Sequence, residues 1–167
     1  QTNTYIDIWK QMEVLYKEGL VKSLGVSNFH EHHLEKLISN TDIMPVANEI
    51  EIHPLFNQKP LIRYCEDKGI KVIAYTPLCR MHKDIKKSDV LNSLSMKYNK
   101  NISQIILKWH MQLGIIPIPS TTKVYRLKSY SDIYDFSLTD KEIEMINGIN
   151  KNMRLRFNPD SCDFNKL

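Results

Sequence analysis

Cysteine is scarce and odd in number, with only Cys65, Cys79 and Cys162 in 167 residues. Three widely spaced thiols exclude a disulfide framework and a paired-thiol metal knuckle. They read as packing residues in a reducing, cytoplasmic compartment. No apolar run approaches the roughly 20 residues that a bilayer-crossing helix needs, and no signal peptide opens the chain. A basic stripe interleaved with aromatics is also missing, which argues against nucleic acid as a partner. The net charge of +4 is spread among mixed charges, as on a solvated surface. No low-complexity segment or linker interrupts the chain, so a single domain is expected. Residue 1 is Gln rather than Met, so the expectation is either removal of something before it or a piece of a longer polypeptide.

Apolar residues make up 42% and charged residues 25%, ordinary globular usage. The length suits one hydrophobic core and is short for two. Two periods alternate. Short runs at Val21–Val26, Pro45–Ile50, Lys71–Tyr75 and Ile115–Pro117 are long enough for strands and too short for helices. Between them, helical spacing covers Asp7–Glu18, His32–Ile38, Pro60–Lys68, Asp89–Tyr98 and Ser103–Leu113. Thr139 to Glu142 forms a capping-box pattern that opens a last helix ending around Asn150. Residues 152–167 carry no period and read as an irregular tail after a domain of residues 1–151.

Strand-then-helix units of about 25 residues imply parallel strands joined by right-handed crossovers. Four parallel strands by themselves leave edges with unpaired backbone groups. The fold class expected is therefore α/β of the (β/α)8 barrel type, with only the second half of the barrel in this chain. Such a half should take up a complementary half or associate with its own copy.

In parallel βα architecture, sites lie at the carboxyl ends of the strands. The four endings here supply Ser27-Asn28, Asn48 to Pro54, Tyr75 to Leu78, and Ser120-Thr121-Thr122-Lys123. A hydroxyl and an amide can hydrogen-bond a carboxamide, and Tyr75 offers a flat face to a planar ring. Hydroxyls and backbone N–H groups beside Lys123 and Arg126 suit a phosphate. Each signal has a plain alternative. Ser27-Asn28 and Ser120-Thr121-Thr122 also suit helix caps, and Tyr75 also suits a packed core.

Together these endings resemble the aldo-keto reductases in order and spacing. Lys22 to Phe29 is similar to that family's fifth strand and Asn48 to Pro54 to its sixth. Ala74 to Leu78 is similar to the seventh, Ile116 to Arg126 to the eighth, and Tyr134 to Thr139 to the approach to its last helix. The resemblance implies that a reduced nicotinamide cofactor, NADP with NAD as the other possibility, serves the reduction of a small-molecule aldehyde or ketone. It implies that Ser27, Asn28 and Glu49 hold the carboxamide, that Tyr75 stacks on the nicotinamide, and that Thr76 and Leu78 lie along the pyrophosphate. Ser120, Thr121, Lys123 and Arg126 would meet the adenosine phosphate, and Tyr130 the adenine. Loops that include the tail Arg154–Phe164 would set substrate selectivity.

Two positions depart from the family pattern. Glu49 stands where the family usually has Gln, and Ser120-Thr121 where it has Lys-Ser. The family's catalytic Tyr, with its Lys, Asp and His, lies on four earlier strands with no counterpart in this sequence. Tyr5 is read as preceding the first helix and Tyr16, Tyr64 and Tyr98 as lying within helices, so no catalytic residue is assigned and the chain alone is expected to be inactive. His30, His32 and His33 resemble a metal cluster on paper but lack an evident fourth ligand, so no metal is assigned. His53 is read as structural, and Glu49 with Glu51 as a same-face pair that a glycosidase could use. Two competing readings are a truncated half barrel that binds cofactor or a partner without catalysis, and a phosphate-binding barrel lyase or isomerase.

Overall fold

A computed structural model describes residues 4–161 of the chain. The described residues contain four strands and eight α-helices, in the order α1 (Tyr5–Lys17), β1 (Gly25–Ser27), α2 (Glu31–Asn40), β2 (Ala47–Glu51), α3 (Lys59–Asp67), β3 (Lys71–Tyr75), α4 (Lys83–Lys86), α5 (Asp89–Tyr98), α6 (Ile102–Gln112), β4 (Ile116–Pro117), α7 (Val124–Ser131) and α8 (Asp140–Asn147), with a 3-10 turn at Cys79–Met81 before α4. The sheet runs in the order β1-β2-β3-β4. The chain divides into two compact units, one of Gln1–Ile50 with Lys59–Val72 and the other of Glu51–Gln58 with Ile73–Leu167. Among the described residues no helix is long and apolar enough to cross a membrane.

In the first unit, α1 starts two residues earlier than periodicity predicts, because Thr4 and Asp7 form a capping box. The Asp7 amide donates to the Thr4 hydroxyl at 3.3 Å, and the Thr4 amide donates to the Asp7 carboxylate at 2.9 Å. Tyr5 therefore lies in the helix rather than before it. Trp9 and Leu37 pack with Leu24 in a small core, with Tyr5, Met12 and Phe29 at its margin. The indole N–H of Trp9 donates to the Ile43 carbonyl at 2.9 Å. The buried Glu13 carboxylate accepts the amides of Asp42 and Ile43 at 2.8 and 2.7 Å. These bonds clamp α1 onto the loop that feeds β2.

β1 is three residues long, Gly25–Ser27, not the six of Val21–Val26. It pairs in parallel with β2, with Gly25 opposite Ala47, Val26 opposite Asn48 and Ser27 opposite Glu49. A Cβ on Gly25 would lie 3.2 Å from the Ala47 carbonyl oxygen. Glycine is what lets the two backbones meet.

The second unit is built around α6, in which every residue from Gln104 to His110 is buried. The helix is capped by Asn101, two residues before the expected Ser103. The Trp109 indole donates to Asn147 of α8 at 3.1 Å. The His110 ring nitrogens lie 2.8 Å from the Ile106 carbonyl and 3.0 Å from that of Ile52. Burial with no counter-charge pushes the pKa of His110 down to about 4, despite both carbonyls. β3 pairs with β4 in parallel through Ile73 opposite Ile116 and Ala74 opposite Pro117.

The capping box at Thr139 and Glu142 opens α8 as the sequence predicts. Glu142 also accepts the Lys97 ammonium and the Tyr98 hydroxyl, each at 2.6 Å. Burial alone would raise its pKa, but the bonds from Lys97, Tyr98 and Thr139 outweigh that and hold it down to about 2. A depressed carboxylate stabilises the fold above its unfolded pKa and loses that contribution as pH falls toward its folded value. Glu142→Gln is expected to cost roughly 2–3 kcal/mol at pH 7. Urea unfolding should show that difference shrinking as the pH is lowered from about 5 toward 2.

Candidate active site

At the carboxyl end of β1 and β2, the first unit brings Ser27, Asn28 and Glu49 together. Ser27 faces Glu49 in the register. The Glu49 carbonyl accepts both the Ser27 hydroxyl at 3.0 Å and the Asn28 amide at 2.9 Å. The Asn28 side-chain amide donates to the Ser27 oxygen at 3.3 Å. Asn28 sits at φ 60°, a left-handed conformation that Asn tolerates better than most residues. It turns the chain off the strand, so neither Ser27 nor Asn28 caps α2; that position belongs to His30. Sequence reasoning passed over Asn48, which is fully buried. Its amide nitrogen donates to the Phe29 carbonyl at 2.8 Å, and its oxygen accepts the Phe29 amide at 3.4 Å. A polar residue at an inward strand position was the available signal.

In the second unit, Tyr75 ends β3 half-buried. Thr76 follows at φ 50°, strained for a branched side chain. Its carbonyl accepts the Cys79 amide at 2.9 Å. Cys79, Arg80 and Met81 are all left-handed, at φ 50°, 48° and 52°. Three consecutive residues of this kind store strain, on the order of 1–2 kcal/mol each. Leu78 is buried beneath them.

After β4, Ser120, Lys123 and Arg126 are exposed, while Thr121 and Tyr130 are half-buried. The Thr121 hydroxyl accepts the Lys123 amide at 3.1 Å, but Lys123 occupies the cap position of α7 and Thr121 does not. Helix α7 has no counterpart among the helical periods read from the sequence, although Ser120-Thr121-Thr122 suit a helix cap. It buries none of its residues and exposes Val124, Tyr125 and Leu127, so it carries no inward apolar stripe to be read.

The remaining titratable groups are structural in these surroundings. Glu51 and His53 are fully buried, with 3.0 Å between the carboxylate and the ring Nε2. Burial would raise the Glu51 pKa, but hydrogen bonds from His53, Leu155 and Arg156 lower it on balance. With its carboxylate enclosed in this way, Glu51 is no solvent-facing acid, which removes the glycosidase pair. Trp109 and His110 are wholly interior. One ring nitrogen from each of His30, His32 and His33 lies within 4.8 Å of the others. Nδ1 of His33, however, accepts the His30 amide at 3.1 Å, so a metal on that nitrogen would have to displace the bond.

This arrangement of parallel βα units with polar strand ends agrees with the known proteins it matches. Residues 1–151 match the Aldo/keto reductase family, and the chain belongs to it. An uncharacterized oxidoreductase, YtbE of Bacillus subtilis, is 44% identical over 96% of this chain and 56% of its own length. Glyoxal reductase of the same organism is 39% identical over 96% of the chain and 57% of its own. Methylglyoxal reductase DkgA of Escherichia coli is 37% identical over 93% and 57%. Among solved structures, a Bombyx mori aldo-keto reductase in complex with NADP superposes with a TM-score of 0.87 at 35% identity, covering 96% of this chain and 55% of that one. The chain thus spans little more than half the length of these relatives.

Burial pushes the Cys79 thiol up to about 12 and raises that of Cys65, which keeps both from being nucleophiles. At pH 7.5 a thiol of that pKa is ionised in less than about one molecule in ten thousand. Iodoacetamide should therefore leave Cys65 and Cys79 unmodified in the native chain and alkylate both in 6–8 M urea, roughly the denaturing range, as read by peptide mass mapping.

Proposed function

We propose that this chain is the cofactor-holding part of an NADP(H)-dependent aldo-keto reductase that reduces a small aldehyde or ketone. The observation that carries the reading is the cluster at one strand end, where the Ser27 hydroxyl and the Asn28 backbone amide meet at the Glu49 backbone carbonyl and the Asn28 side-chain amide reaches the Ser27 oxygen. Such a set can bind a carboxamide, with Glu49 accepting from its NH2 and Ser27 or Asn28 donating to its oxygen. The Tyr75 ring would lie against the nicotinamide, with Thr76 and Leu78 along the pyrophosphate. Ser120, Thr121, Lys123 and Arg126, around the start of α7, would take the adenosine phosphate, and Tyr130 the adenine. Relatives named as glyoxal and methylglyoxal reductases support a small carbonyl substrate, and structures holding NADP or NADPH support that cofactor.

When bound, the dihydronicotinamide supplies a hydride to the carbonyl carbon, and a proton must reach the oxygen. No residue of this chain is assigned to deliver it. Tyr5 and Tyr16 lie in α1, Tyr64 in α3 and Tyr98 in α5; the Tyr98 hydroxyl is spent on Glu142. The acid would come from a complementary βα half. A groove of about 430 Å³ along β4, lined by Leu107, Met111, Ile116, Tyr130, Ile133 and Tyr134, supports docking of such a half or of a second copy. Residues 1–151 would then form a half barrel and 152–167 its tail. The buried, reduced Cys65 and Cys79 suit a cytoplasmic setting. A non-catalytic cofactor-binding half barrel is the second reading, supported by the same rim.

The isolated chain should quench or shift NADPH fluorescence on binding and reduce no methylglyoxal. Arg126→Ala should weaken NADPH about tenfold and NADH far less, as loss of one charge-assisted phosphate contact implies. Binding of no nicotinamide dinucleotide would remove both readings and leave the phosphate-binding lyase or isomerase.

A further inference from the structure

β2 ends in Glu51, a carboxylate for which the cofactor reading has no use. Three N–H groups converge on it. His53 Nε2 and the Leu155 amide lie 3.0 and 2.7 Å from Oε1, and the Arg156 amide lies 3.0 Å from Oε2. A fully buried carboxylate is tolerable only when its oxygens are so supplied. Two successive backbone amides can turn toward one anion, as they do at sites that bind phosphate or carboxylate groups. Here the anion is a side chain about a hundred residues upstream.

The rest of the tail docks on the same short stretch. The amides of Lys151 and Met153 both donate to the Leu55 carbonyl, at 3.1 and 3.0 Å. The Arg154 guanidinium lies 4.6 Å above the Phe56 ring. Met153, Arg154 and Leu155 are only half-buried and Arg156 is exposed, so apolar packing contributes little to holding them. Hydrogen bonds to Glu51 and Leu55 hold the segment instead. His53 fixes the geometry from the other side. Its Nε2 faces the carboxylate and donates to it, while its buried Nδ1 has no hydrogen-bond partner among the described residues.

We propose that Glu51 is the positioning residue of the tail: its carboxylate, oriented by His53, docks residues 151–156 and thereby sets the loop that borders the carbonyl substrate. The docking stands on the distances above; its consequence for substrate rests on the aldo-keto reductase reading. Glutamine is the informative replacement. It keeps size and one acceptor but presents an NH2 to one of the two tail amides, a donor facing a donor.

Amide hydrogen exchange on the full 167-residue chain tests this without cofactor or turnover, so the docking can fail independently of the functional reading. In the native protein, the Leu155 and Arg156 amides should exchange at least about a hundredfold more slowly than in an unstructured peptide. Glu51→Gln should speed both by about tenfold or more, with trypsin cutting faster after Arg154 and Arg156. The amides of Ile105, Ile106 and Leu107 in α6 should change by less than about threefold. Glu51→Asp, which keeps the charge and both acceptor oxygens, should restore part of the lost protection. The proposal is overturned if the native tail amides are unprotected, if Gln leaves them unchanged, if they fall in step with α6, or if Asp behaves as Gln does.

Discussion

The close approach of β1 to β2 at Gly25 is the contact on which the candidate site depends. With no Cβ in the way, the two backbones meet where one more carbon would lie 3.2 Å from the Ala47 carbonyl. That approach sets a register in which Ser27 reaches Glu49. A single carbonyl, that of Glu49, then collects the Ser27 hydroxyl and the Asn28 amide. A shift of one residue would send every side chain of this short strand to the opposite face. The polar end of β1 is therefore a property of the strand pair rather than of Ser27 and Asn28 alone.

A second regularity concerns buried carboxylates. Glu13, Glu51 and Glu142 are all buried, and each receives backbone amides from a loop or a cap. Glu13 holds the loop before β2, Glu51 holds the tail, and Glu142 closes the start of α8. Only Glu142 also has a lysine partner. Loops that contribute little apolar burial are thus fixed by anions placed on strands and helices. A carboxylate can accept several N–H groups at once and is left with a large desolvation penalty if they withdraw.

Much of this was legible in the sequence where period and chemistry agreed. β3, α5 and the start of α8 fall where branched runs, spacing and the Thr139 to Glu142 pattern put them. The starts of α1 and α6 were misplaced because the decisive caps, Thr4 and Asn101, sit before the first apolar residues rather than among them. Helix α7 showed only a cap-like Ser120-Thr121-Thr122 and no period, because a helix that buries nothing shows no amphipathic stripe. The pairing of Ser27 with Glu49 joins residues of different strands, and the docking of Leu155 and Arg156 on Glu51 spans most of the chain. Only the three-dimensional pairing reveals such contacts, whereas the residue types at the strand ends could be named in advance.

The exposed side chains of α7 and the groove along β4 belong to the same reasoning. A two-residue strand such as β4 gains little from its own ladder, and Pro117 has no N–H to give. Yet Ile116 is 51% exposed beside a groove lined by Tyr130, Ile133 and Tyr134, and Val124, Tyr125 and Leu127 lie exposed on α7. Apolar surface of this extent is uncommon on a face meant for water. The same segment carries Thr121, Lys123 and Arg126, the groups proposed for the adenosine phosphate. A βα element packed against β4 would bury Ile116 together with Ile133 and Tyr134 of the groove, and so would supply the ladder and the apolar cover that this short strand lacks.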